Sequence, residues 1–205
     1  MAATSPDAGV RLLDGIEASR DRTTPAEYAA ALPGYRRCAP SELPTGFTVG
    51  WRYRAPVVDI PVYLKYLQRR FKAAGGTISI GYARRLAAAA PVVVNCTGLG
   101  AAKFVPDPAV TPIRGQLAVV ANPGLTEFFA EHTDDLREVT YLLPQGPVLL
   151  LGGSAEHGRA DVAEDAAVAA RIRARCALID PRIADLPFLG HRIGIRSARP
   201  GAGGA

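Results

Sequence analysis

Two stretches of this chain carry a helical period, and they stand far apart. In the first, Asp59 to Ala74, the residues Ile60, Leu64, Leu67 and Phe71 recur at helical steps and mark one apolar face. Asp59 suits the N-cap, Pro61 is tolerated in the first turn, and Gly75-Gly76 supplies the left-handed stop. The second runs from Val162 to Leu178, starting near Asp161. Val162, Ala166, Ala169, Ile172 and Cys176 form its expected buried stripe, and Pro181 blocks its continuation. Much of the rest reads as strand, so the fold class is α/β, mixed α+β, in which a sheet does most of the work of forming a core.

Val10 to Glu17 alternates weakly. Val92-Val93-Val94 is a continuous β-branched run, as expected of a strand buried on both faces. Gly115 to Val120 is a further strand. Val139 to Leu143 and Val148 to Leu151 flank Pro144-Gln145-Gly146-Pro147, which reads as a hairpin loop. Gly190 to Arg196 alternates His191, Ile193 and Ile195 against Arg192, Gly194 and Arg196. Thr23 to Leu32 is expected to form a short helix, with Thr24 as cap and Pro25 at its first position. Cys38 to Gly50 reads as loop with one helical turn at Ser41 to Pro44, and the Ala87–Ala90 tract as a surface connection or helix end.

With 205 residues, 48% of them apolar and 21% charged, the chain can bury a substantial core as one large domain or two small intertwined ones. The formal charge of +5 comes from arginines scattered along the chain. No dense basic run with interleaved aromatics is present, which argues against a nucleic-acid partner. Scattered arginines fit a solvated surface or an anionic small molecule. Cys38, Cys96 and Cys176 are odd in number and far apart, so they read as free thiols of a reducing, cytoplasmic compartment. Met1 to Val10 is polar and small, unlike a signal peptide, and no apolar run is long enough to span a membrane. His132, His157 and His191 lack metal-ligand spacing, and His191 reads as a packed or solvent-edge residue.

The chemistry begins at Val92-Val93-Val94-Asn95-Cys96-Thr97-Gly98-Leu99-Gly100. There a strand runs into small and polar residues whose backbone can approach a ligand. A tight strand-to-loop turn accounts for the same pattern, and the full Gly-x-Gly-x-x-Gly fingerprint is absent from the chain. VVVNCTGLGA is followed by PIRGQ (Pro112 to Gln116), TYLLPQG (Thr140 to Gly146), LLLGG (Leu149 to Gly153) and GHRIGIRSARP (Gly190 to Pro200). In that order, with GVRLLDGIEASR and GWRYRAPVVDIPVYLKYLQRRF upstream, the chain resembles the D-amino-acid oxidase and D-aspartate oxidase family.

That resemblance implies two domains built from alternating segments. Residues 60–101 would be part of an FAD-binding domain, residues 1–59 and 102–197 a mixed-sheet substrate domain, and residues 198–205 a tail. It implies FAD as cofactor, and a D-amino acid and oxygen as partners. Arg196 would pair with the substrate α-carboxylate, as suits a planar guanidinium, and the Tyr141 hydroxyl would reach the same group. Thr97 and Gly98 would contact the cofactor. No catalytic side chain and no metal are implied. In the family the substrate passes a hydride from Cα to the flavin, oxygen takes up the electrons as hydrogen peroxide, and the imino acid hydrolyses to a keto acid and ammonia. The chain departs from the pattern in lacking the Gly-rich unit that holds the FAD pyrophosphate and the last flavin-facing strand and loop. It is also shorter between Gly76 and Val92. Arg137 stands where the family has a second tyrosine, and is read as a solvated loop charge rather than a contact for an acidic substrate side chain. The expectation is a fragment of such an enzyme, poorly stable and inactive or nearly so alone, with a homodimer or a complementing chain as partner. A D-aspartate or glycine oxidase type and a non-catalytic remnant are the alternatives.

Overall fold

The computed structural model describes residues 6–21, 23–82 and 90–199. Nine strands lie among them: β1 (Val10–Ser19), β2 (Arg36–Arg37), β3 (Val49–Val58), β4 (Thr111–Ala121), β5 (Phe128–Glu131), β6 (Tyr141–Gln145), β7 (Val148–Gly152), β8 (Glu156–His157) and β9 (Phe188–Ala198). The two α-helices are α1 (Ile60–Ala73) and α2 (Ala166–Ala177). The strands form one sheet in the order β2-β3-β1-β5-β6-β7-β4-β8, with β9 on the other edge of β4. All pairings are antiparallel except that of β1 with β5. The described residues between β3 and β4 contribute α1 and a 3-10 turn at Gly98–Lys103, and no strand.

The sheet buries apolar side chains on both faces. On one, α2 lays Val168, Ala169, Ile172 and Cys176 against Ala118, Val120, Leu142, Leu149 and Leu151. Burying Val168 and Ile172 contributes about 1.5–3 kcal/mol each. On the other, Val49, Trp51, Tyr53 and Phe128 close over Ala29. Leu149 and Leu151 are fully buried and Leu150 nearly so, as the unbroken apolar run predicts.

Several expectations are corrected. Helix α2 starts at Ala166, because the carboxylate of Asp165 accepts the N–H groups of Ala167 and Val168. Asp161 is taken up by Arg159 instead. Val162 and Ala166 are therefore exposed, and Val168 takes the buried position. Helix α1 has the expected span, but its carboxylate at Asp59 makes no capping bond and none of its residues is buried. Ile60, Leu64, Leu67 and Phe71 all face outward. Val92, Val93 and Val94 are likewise exposed and pair with no strand among the described residues. A β-branched run lacking a neighbouring strand has no ladder to join. Thr23 to Leu32 forms only a 3-10 turn at Ala29–Ala31, which places Ala29 under the Trp51 cluster. The turn near Ser41 lies at Pro40–Glu42. The hairpin between β6 and β7 is tighter than expected: Pro144 and Gln145 pair with Leu149 and Val148, leaving Gly146-Pro147 as the turn. Strands β2, β3, β5 and β8 went unforeseen. The expectations for residues 1–5, 87–89 and 200–205 lie outside the described residues.

Candidate functional site

The polar end of the sheet is organised by the register of β4. On one edge Ile113 pairs with Arg196 of β9, and on the other with His157 of β8. Directly opposed residues share a face, so these three side chains stand in one row. The β6–β7 hairpin adds Tyr141, opposite Gly152. Together they line a cleft of about 360 Å³ with Gly153 and Ser197.

Tyr141 is held by the absence of side chains beneath it. A Cβ at Gly152 would lie 1.7 Å from the Tyr141 Cζ, and one at Gly153 would lie 3.0 Å from its hydroxyl. The two glycines of LLLGG thus let the ring lie against β7. Burial pushes the Tyr141 phenol above its ordinary value, with Arg196 pulling it the other way. At neutral pH Tyr141 is therefore a neutral O–H donor.

Arg196 is exposed, and its Nη2 lies 3.8 Å from where a Cβ of Gly115 would be. Other arginines around it are engaged. Arg114 meets Glu156 at 2.5 Å, Arg192 donates to Gln145 at 3.0 Å, Arg199 meets Asp107 at 3.0 Å, and Arg137 holds Asp135 at 2.7 Å. Arg196 has no hydrogen bond or ion pair among the described residues. Its guanidinium keeps its donors for a ligand, and a carboxylate is the group that matches their planar geometry.

A second cleft of about 500 Å³ adjoins the first, sharing Ser197 and Ala198. Asn95, Cys96, Gly98 and Ala101 form one side of it, and Asp107 and Arg199 another part of its wall. Gly98 has a φ of +57° and a Cβ there would meet nothing within 4 Å, so the backbone stands open. Thr97 is not part of this wall among the described residues. Its hydroxyl donates to Asn95 Oδ1 at 2.7 Å. Of the four residues singled out in the sequence, Arg196 and Tyr141 thus meet in one cleft, Gly98 lines the adjoining one, and Thr97 is turned to Asn95.

Sequence reasoning missed the buried polar layer next to the cleft. Arg114 is fully buried, and besides Glu156 it donates to Gln116 at 2.7 Å. Gln116 in turn donates to the carbonyl of Asp165 at 2.7 Å and lies 3.1 Å from His191 Nδ1. Glu156 also pairs with Arg159. Burial raises the Glu156 carboxyl, but the hydrogen bonds from Arg159 and Arg114 outweigh it and hold the group below its usual range. The signal was legible as two long polar residues, Arg114 and Gln116, one step apart on a strand whose neighbours are apolar. His191 packs edge-on against Phe188, with ring centroids 4.9 Å apart. Among the described residues no cluster of His, Cys, Asp or Glu is placed to hold a metal, and no helix is long and apolar enough to cross a membrane.

Comparison with known proteins gives a consistent result. Residues 5–203 match the FAD dependent oxidoreductase family. The chain is 42% identical over 203 residues to a D-amino-acid oxidase of Rubrobacter xylanophilus, covering 97% of this chain and 62% of that protein. It is 45% identical over 202 residues to a D-amino-acid oxidase of Streptomyces coelicolor, with the same shares, 97% and 62%. A human D-aspartate oxidase is 29% identical over 209 residues, covering 98% of this chain and 60% of that protein. The chain therefore spans about three-fifths of the length of these relatives. Its fold is that of the glycine oxidase from Geobacillus kaustophilus, with a TM-score of 0.77 at 16% identity over 94% of this chain and 60% of that one.

Proposed function

This chain belongs to the FAD dependent oxidoreductase family, and from that premise we propose that it forms the substrate-facing part of an enzyme that oxidises D-amino acids to imino acids, with oxygen reduced to hydrogen peroxide and the imino acid then hydrolysed to a keto acid and ammonia. The observation that carries the reading is the unpartnered guanidinium of Arg196 beside the neutral hydroxyl of Tyr141 in one cleft. Arg196 holds the substrate α-carboxylate by parallel N–H donors, and Tyr141 donates a further bond to it. This fixes the amino acid at one end and sets its orientation, the main contribution a protein makes to such a reaction.

The residues present fit one end of a flavin. The open backbone at Gly98 faces the cleft adjoining Arg196, and small side chains at Cys96 and Ala101 leave it room. Gly98 would hold that end directly, and Thr97, which donates to Asn95 Oδ1, would act through Asn95 on the same wall. When bound, the flavin supplies the two-electron acceptor. The chain contains no Gly-x-Gly-x-x-Gly turn for the pyrophosphate. Residues 60–101 then belong to the flavin-binding domain, and 1–59 and 102–197 to the substrate domain. A second copy of the chain, or a complementing chain, covers the outward apolar face of α1. Three free cysteines favour a reducing, cytoplasmic setting.

The test is to load the purified chain with FAD, desalt it, record flavin absorbance, and measure peroxide release on D-alanine, D-proline and D-aspartate. Peroxide that disappears in Arg196→Ala supports the reading. Peroxide release unchanged by Arg196→Ala refutes the assigned site.

A further inference from the structure

We infer that His157 is the residue that selects the substrate side chain, favouring D-amino acids whose side chain ends in a carboxylate or carboxamide. The inference rests on the assignment of Arg196 as the α-carboxylate anchor and extends it to the opposite wall of the same cleft.

The row Arg196–Ile113–His157 carries the argument. Arg196 and His157 sit on the two strands flanking β4, and both line the cleft. Two strand spacings put their backbones about 10 Å apart, so a substrate anchored at Arg196 and lying over Ile113 carries its far end toward His157. The rest of the wall on that side offers little free polarity: Ile113, Val139 and Ala155 are apolar, Gly153 has no side chain, and the Ser154 hydroxyl is engaged with Gln116 and Glu156. The imidazole of His157 is exposed and makes no hydrogen bond or ion pair among the described residues. An apolar side chain would leave it unsatisfied when water is displaced, whereas a carboxylate or amide oxygen would accept its N–H.

The position is also fixed. Residues on both sides of His157 are tied down: Gly158 donates its N–H to the Pro112 carbonyl at 2.8 Å, and Ala155 donates to the Arg137 carbonyl at 2.8 Å. The neighbouring Glu156 is anchored by Arg114 and Arg159. Arg137, a cation near this end of the site, is held by Asp135 through two hydrogen bonds of 2.9 and 2.7 Å. It is thereby less available to a substrate than His157.

The experiment is binding to the full chain, read by calorimetry and by the imidazole resonances of His157, with D-aspartate, D-asparagine and D-valine as probes. D-aspartate and D-asparagine are expected to bind about tenfold tighter than D-valine, the effect of one hydrogen bond to a polar or charged acceptor, and to shift the His157 resonances. His157→Ala is expected to level all three at the D-valine affinity, and His157→Gln, which keeps a donor, to restore most of the difference. Equal binding of the three probes to the unaltered chain, or an equal loss for all three in His157→Ala, overturns the inference. Binding that depends on His157 but is indifferent to Arg196→Ala refutes the anchor instead. No binding of any probe refutes both.

Discussion

Substituting Gly152 by alanine tests how the candidate site is built. The Tyr141 ring occupies the volume a side chain at position 152 would need, with Cζ 1.7 Å and two further ring carbons about 2 Å from the new Cβ. No small shift relieves that overlap, so the ring must leave its place. Overpacking of this kind costs about 1–3 kcal/mol, offset by about 0.4–1 kcal/mol because alanine restricts the unfolded chain more than glycine does. The net expectation is a loss of about 1–2 kcal/mol, measured by urea denaturation. The informative measurement is the double-mutant cycle with Tyr141→Ala. With the ring removed, the added methyl has room, and Gly152→Ala should become neutral or slightly stabilising. A coupling of at least about 1 kcal/mol is therefore expected between the two sites. If Gly152→Ala costs the same in both backgrounds, the ring does not lie on β7 and the position assigned to its hydroxyl is wrong.

Other expectations follow from the same geometry. Glu156→Ala removes the nearest carboxylate of the buried Arg114 and leaves it with Gln116, the Ala163 carbonyl and the more distant Asp161 carboxylate at 3.7 Å. It should destabilise by about 3 kcal/mol, seen as a lower urea midpoint, whereas Asp14→Ala, at an exposed pair with Arg54, should leave the midpoint nearly unchanged. The Asp135 carboxyl is lowered to about 2, chiefly by its hydrogen bonds with Arg137. Its folded value lies below the ordinary one, so its stabilising effect is fully present above about pH 4 and is lost as pH falls toward 2. An NMR titration should find the low midpoint, and Arg137→Ala should return it to the ordinary range. Burial pushes the Cys176 thiol up to about 12 and also raises Cys38, while Cys96 is exposed. Alkylation at pH 8 should modify Cys96 alone until the chain is unfolded.

The sheet was legible wherever a strand carries a repeating pattern long enough to stand out. The apolar run at Val148–Leu151 and the alternation from Gly190 to Arg196 predicted β7 and β9. Strand β3 had a signal that went unread: Trp51 and Tyr53 are buried while Arg52 and Arg54, alternating with them, are half-buried and exposed. Strand β5 spans four residues and β8 two, too few for any period to register. Helix α1 and Val92–Val94 failed differently. Periodicity reports that a face is apolar, and not that a neighbour exists to cover it. The pattern was read correctly at Ile60, Leu64, Leu67 and Phe71, yet among the described residues each of these side chains stays about half exposed.

The arginines mark the limit for the site itself. Sequence places Arg192, Arg196 and Arg199 on or beside one strand, with nothing in their chemistry to separate them. What separates them is the partner each meets, and those partners lie far away in the chain: Gln145 for Arg192 and Asp107 for Arg199. Arg196 differs because the residues opposite it, Ile113 on β4 and Tyr141 across the cleft, bring no carboxylate. A cation that the fold leaves uncompensated, in a cleft beside a neutral hydroxyl, is set to receive an anion from outside. The resemblance of GHRIGIRSARP singled out Arg196, but its lack of a partner belongs to the pairing register of three strands, and a one-residue slip of β9 against β4 would turn Arg196 to the other face and remove it.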